Sequence, residues 1–146
     1  MTMSDFDTIN AELAGPVGPR NAFGRDAKPG DELTGEIIGA ERRHRMVDGK
    51  PLFWVDRKPS TVEAGPAVID SVLVFQTAAE EDENDDGQRF LRLDRDVKAA
   101  LNAALAAAGV KTVAMGGRLE GFTFKGKATG GAGRVYGDGK YIPPSA

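Results

Sequence analysis

One long stretch of this chain keeps helical periodicity over about four turns, and it stands between segments that read as strand. From Asp94 to Ala108, the apolar residues Val97, Leu101, Leu105 and Ala108 recur at i, i+4, i+8 and i+11, one face of a helix. Asp94 can cap its start, Asp96 favours the positive end of the helix dipole, and Gly109 can close its end. Alanine fills most of the remaining positions, which lets such a helix lie close to a sheet.

Around this helix the pattern is β. Leu33 to Arg45 reads as a strand bent by Gly35 and Gly39, because glycine inside a strand marks a bulge or a close backbone approach. Ala67 to Thr77 is apolar on both faces near its end, as in a central strand. Gln88 to Leu93 alternates, with Leu91 and Leu93 on one face and Phe90 and Arg92 on the other. After the helix come Met115 to Lys125 and Val135 to Ile142, the last ending at Pro143-Pro144. Residues 47–66 read as one long loop with an apolar middle, Leu52-Phe53-Trp54-Val55, and Lys125 to Arg134 as a glycine-rich turn. The order β-β-β-α-β-β predicts an all-β fold with one helix, a five-stranded Greek-key barrel of the oligonucleotide/oligosaccharide-binding (OB) type. The barrel is expected over residues 31–144. Residues 1–30, broken by seven glycines and prolines from Gly15 onward, are expected as an extended or disordered tail, with Phe6, Ile9 and Leu13 spaced for a turn or two of helix.

A chain of 146 residues can bury a core without staples. Zero cysteines exclude a disulfide scaffold, a thiol nucleophile and a thiolate zinc site, and one histidine excludes a histidine-rich metal cluster. No apolar run is long enough to span a membrane, and the acidic first residues do not resemble a secretory signal, so a cytoplasmic protein is expected. The net charge of −3 conceals an asymmetry. Glu80, Glu81, Asp82, Glu83, Asp85 and Asp86 form one run, and without them the rest of the chain is positive. Local fields, more than the sum, govern association.

Two strings imitate motifs. Gly121-x-x-x-x-Gly126-Lys127 lacks the following Ser or Thr and the helix that a phosphate-binding P-loop needs. Asp82-x-Asn84-x-Asp86-Gly87 matches half of a calcium loop, but its twelfth position is Leu93. His44 sits among arginines, and no set of residues has the spacing of a nucleophile with its base. No catalytic residue, metal ligand or cofactor is expected.

One constellation does have a physical logic. Arg42, Arg43 and Arg45 end the first strand; Lys50, Arg57 and Lys58 flank Phe53 and Trp54; Lys125, Lys127 and Arg134 bracket the glycine-rich turn before Tyr136; Phe90 and Arg92 share a strand face. Cations neutralise phosphates and flat side chains stack on bases, the two requirements of single-stranded nucleic acid. In an OB barrel the second and third strands and the loops joining strands one to two and four to five form the binding surface. These fourteen residues are therefore expected on one face.

The segments PGDELTGEIIGAERR (29–43), DGKPLFWVD (48–56), SVLVFQT (71–77), DDGQRFLRLDRDVKAALNAALAAAG (85–109), GGRLEGFTFKGK (116–127) and RVYGDGKYIPP (134–144) resemble a family of small actinobacterial phage and prophage proteins. That family is similar to OB-fold single-stranded DNA-binding proteins. The resemblance implies single-stranded DNA as partner, in the bacterial host cell, with replication or recombination proteins as further partners. It identifies no binding residue. The ending YIPPSA departs from the acidic tail with which the familiar bacterial single-stranded DNA-binding proteins recruit partners. A homo-oligomer stays open, as does a protein-interaction or phage-assembly module that binds no nucleic acid.

Overall fold

The fold was determined as a computed structural model, which describes residues 20–129 and 133–145. Its centre is one long strand, β2 (Glu32–His44), which follows a two-residue strand β1 (Arg20–Asn21). Leu33, Gly35 and Ile37 of β2 face inward in alternation, as a half-buried strand demands. Two short hairpins come next, from β3 (Met46–Val47) with β4 (Lys50–Pro51) and from β5 (Phe53–Val55) with β6 (Lys58–Ser60). The chain continues through β7 (Ile69–Gln76), β8 (Gln88–Arg92), helix α1 (Arg95–Ala107), β9 (Arg118–Lys127), β10 (Arg134–Gly137) and β11 (Lys140–Ile142).

The main sheet has seven strands in the order β1-β8-β7-β2-β9-β10, with β11 also on β9. The described residues are thus mostly β with one helix, and the sheet curls in a barrel-like way. The curl begins in β2, whose first half pairs with β9 and whose second half pairs with β7, both antiparallel. Each pairing shifts register at a glycine, Gly35 against β9 and Gly39 against β7. Gly35 is required there because a Cβ would collide with the Gln76 carbonyl oxygen.

A further bulge lies in β9. Leu119 and Phe122 both face inward, although strict alternation would put them on opposite sides. Gly121 absorbs the extra residue at a φ of 64°, and its N–H donates to Thr34 Oγ1 at 2.9 Å. Leu119, Phe122 and Phe124 therefore share one core with Leu33, Ile37, Phe75 and Leu91. Helix α1 covers this core with Val97, Leu101, Ala104 and Leu105. Asp94 accepts from the Val97 N–H at 2.9 Å, and Gly109 and Val110 close the far end on the Ala106 and Leu105 carbonyls.

Two expectations differ from what is found. The loop expected over 47–66 is two hairpins, each turning on a two-residue pair with positive φ, Asp48-Gly49 and Asp56-Arg57. Such turns match the twist of paired strands. The second difference concerns the expected tail. Its residues 1–19, including the spacing of Phe6, Ile9 and Leu13, lie outside the described residues. Its later part belongs to the folded unit. β1 pairs in parallel with β8, and Phe23 is 6% exposed, with its ring 6.1 Å from that of Phe122 and 5.3 Å from that of Tyr136. On the other side of this segment, Arg134 of β10 donates to the Phe23 and Gly24 carbonyls at 3.2 and 3.1 Å. Residues 20–24 therefore bridge the gap between β8 and β10.

Truncating a buried phenylalanine removes its transfer energy and leaves a cavity. Phe23→Ala should therefore cost about 3–5 kcal/mol. Urea denaturation measures it, and a loss below about 0.5 kcal/mol, the size of an ordinary surface substitution, would show that this segment does not complete the core.

Candidate nucleic-acid interface

Directly paired residues on neighbouring strands project to the same side of a sheet. Register therefore assigns the outer face of β2, β7 and β8. Val72 opposes Glu41 and Arg92; Val74 opposes Gly39 and Phe90; Asp70 opposes Arg43. The face thus carries Arg43, Phe90 and Arg92 over a floor of buried Val72 and Val74. The Arg43 guanidinium lies over the Phe90 ring, 5.0 Å from its centre. Arg45 joins them by forking onto Asp70, with Nε and Nη2 at 3.0 and 2.7 Å from its two oxygens.

Each arginine of this face is matched by a carboxylate. Arg43 Nε donates to Glu41 at 2.7 Å, Arg45 holds Asp70, and Arg92 stands 3.9 Å from Asp94. The Arg45 hydrogen bond, aided by the charges of Arg45 and Arg92, keeps the Asp70 carboxyl below its ordinary range. Arg45 is raised in turn by the same hydrogen bond. A phosphate arriving here would compete with carboxylates for guanidinium groups already in place.

Apart from Arg42, the other expected residues divide into two groups. Lys50, Trp54, Arg57 and Lys58 are exposed on the two hairpins, with Phe53 half-buried beside them. Phe53 meets His44 edge to face at 5.1 Å, and His44 Nε2 donates to the Leu52 carbonyl at 2.6 Å. This histidine pins the hairpins to the end of β2. Arg42 opposes Ser71 and projects to the side opposite Arg43.

The β9–β10 end does not join the hairpins. Gly30 donates to the Phe124 carbonyl at 2.8 Å, so β9 ends beside the start of β2, whereas the hairpins leave its far end. Lys125 is paired with Asp138 at 2.9 Å, and Lys127 is exposed. Arg134 and Tyr136 serve the core instead. Arg134 lies over the Phe124 ring at 4.9 Å and clamps the N-terminal segment, while Tyr136 stacks on Phe122 at 5.6 Å. The expectation of one shared face is therefore replaced by a central arginine–phenylalanine face with the hairpins at one end. Part of the glycine-rich turn, residues 130–132, lies outside the described residues.

The acidic run is folded, and its partners were not foreseen. Arg20 of β1 forks onto Asp82 at 2.9 Å, and Arg89 of β8 forks onto Asp85 at 2.8 and 2.6 Å. Asp85 also accepts from the Glu81 and Gly87 N–H groups, and Asp82 and Asp86 accept from Asn84 and Gln88. The half calcium motif thus presents its carboxylates to backbone amides and arginines. The loop joins β7 and β8 at the Gln76–Gln88 end, away from Arg92.

Compared with known proteins, the chain matches no family model, no curated protein and no solved structure. Among the described residues, no helix is long and apolar enough to cross a membrane.

The Arg89 hydrogen bonds, with the two backbone N–H donors, hold the Asp85 carboxyl well below the ordinary carboxylate range. A depressed native pKa adds stability that is present above the unfolded value, about 4, and is lost as pH falls below it. Melting temperature should therefore drop as pH falls through and below about 4. The drop should be smaller in Asp85→Asn, which starts from a lower melting temperature at pH 7. Parallel pH profiles for the two proteins would refute this role.

Proposed function

We propose that this chain is a non-catalytic single-stranded DNA-binding protein with low sequence preference. The observation that carries the reading is the face on which Arg43, Arg45 and Arg92 surround Phe90 across β2, β7 and β8. A base can stack on an aromatic ring for about 1–3 kcal/mol whatever its identity. Guanidinium groups beside it meet phosphate through paired N–H donors. Trp54, exposed on the second hairpin, adds a further flat surface among Lys50, Arg57 and Lys58.

The pairing of the long strands supports an OB-type barrel as the scaffold. In chain order β2, β7, β8, β9 and β10 are the first to fifth strands, the helix falls between the third and fourth, and the first pairs with both the second and the fourth. The second and third strands of that scheme are β7 and β8, which carry the proposed face together with β2. Service in phage or prophage DNA replication or recombination is the role that the family resemblance implies.

A second reading draws on a different observation. Met46, Val47, Trp54, Val62 and Ile69, five of the seven large exposed apolar side chains among the described residues, all fall within residues 46–69. A protein-interaction or assembly module would bury such side chains against a partner.

Titration of fluorescent oligo-dT at two salt concentrations separates the readings. Log affinity should fall by about 0.7 per phosphate contact for each decade of salt. Phe90→Ala should weaken binding by about 1–3 kcal/mol, and bound strand should quench Trp54. Absence of binding at low salt, or binding indifferent to salt, would leave the interaction-module reading. Because Glu41 competes for Arg43, Glu41→Gln should tighten binding at low salt, and a weaker complex would remove Arg43 from the interface.

A further inference from the structure

Where residues 20–24 bridge β8 and β10, a cleft of about 350 Å³ opens beside the start of α1. Three arginines line it, from three separate elements: Arg25 after the bridging segment, Arg92 at the end of β8, and Arg134 at the start of β10. Tyr136 forms part of the wall, and Asn21 adds a polar side chain. Asp94 is the one acid among the lining residues described, and its Oδ1 is occupied by the Val97 N–H at 2.9 Å.

We propose that this cleft seats a backbone phosphate of the bound single strand, with Arg25 as a binding residue; this rests on the reading of the chain as a single-stranded DNA-binding protein. The charge of Arg134 supports it. Among the described residues its guanidinium donates to the Phe23 and Gly24 carbonyls, which are neutral, so two of its five side-chain N–H donors are engaged and its charge remains. Its backbone N–H donates to Asp96 at 3.0 Å. Arg25 is exposed. Arg92 offers a half-exposed guanidinium, 3.9 Å from Asp94. Three arginines lining one cleft favour a compact, multivalent oxyanion, and phosphate fits the forked donors of guanidinium groups.

Position ties the cleft to the face already described. Arg92 lies two residues beyond Phe90 on the same side of β8, about 6–7 Å along the strand. A strand with one base on Phe90 thus reaches the cleft with a neighbouring phosphate. Its course would run from the hairpins, across β8, to the bridging segment. Arg25 precedes every segment in which the sequence pattern is β, which is why the pattern gave no sign of it.

The test is binding of unphosphorylated and 5′-phosphorylated oligo-dT to the whole chain, Arg25→Glu and Lys111→Glu. Lys111 is an exposed cation on the segment after α1 and controls for net charge. Arg25→Glu should weaken binding of both oligonucleotides by roughly 5- to 20-fold and flatten the log–log salt dependence by about 0.7, the value of one phosphate contact. Lys111→Glu should change affinity less than twofold, and both variants should melt with the wild type, since both residues are exposed. Unchanged affinity and slope in Arg25→Glu, with Phe90→Ala still weakening binding, would overturn the cleft and leave the face. An effect confined to the 5′-phosphorylated oligonucleotide would also overturn it, assigning the cleft to strand ends. If the wild type binds neither oligonucleotide, the functional reading falls, and the cleft with it.

Discussion

Everything in this fold depends on β2 serving two partners. Its first half is hydrogen-bonded to β9 and its second half to β7, and one flat strand could not present Leu33 to Phe122 and Ile37 to Phe75 in the same interior. The bend is taken at Gly35 and Gly39, where the register slips, and Gly35 admits the Gln76 carbonyl against its backbone. Once β2 is bent, β7 and β8 are carried to one side and β9, β10 and β11 to the other. The sheet curls until only a gap between β8 and β10 remains. Residues 20–24 occupy that gap, held by parallel pairing on one flank and by Arg134 on the other.

Charge in this molecule is organised by pairing. The six-acid run dominates the net charge of −3, yet Arg20 and Arg89 hold three of its acids, two of them by forked contacts. The outer face of β2, β7 and β8 shows the same habit, each arginine having a carboxylate in reach. Exposed pairs of this kind contribute little to stability, about 0–1 kcal/mol each, because solvent screens them. Their larger effect is on what the arginines are free to do. The cleft at the bridging segment differs, since the Arg134 guanidinium is held there by neutral carbonyls.

Much of the candidate site was legible from strand alternation alone. A period of two puts Phe90 and Arg92 together and opposite Leu91, and the structure keeps that arrangement. The fate of Arg134 and Tyr136 was not legible. An arginine and a tyrosine beside a glycine-rich turn look like surface residues until Phe23, more than a hundred positions away, comes to rest against them. The phase of β9 was hidden for a related reason. Its residues alternate plausibly, and only the bulge at Gly121 brings Leu119 and Phe122 to the same side. The hairpins in the expected loop did have a local signal, Asp48-Gly49, whose preference for positive φ marks a two-residue turn.

By itself the sequence determined the local elements: one capped amphipathic helix, the long strands around it, the glycines at which a strand can bend, and the absence of cysteine. These follow from short-range rules of capping, periodicity and backbone sterics, which act over a few residues. Tertiary structure alone decided which cations remain available and where the chain closes. An arginine becomes a clamp, an ion-pair partner or an open guanidinium according to what lies within about 4 Å of it, and those neighbours come from distant segments. Residues 20–24 show the difference most plainly. Their glycines and prolines nearby resemble a tail, and one buried phenylalanine with two carbonyls makes them part of the core.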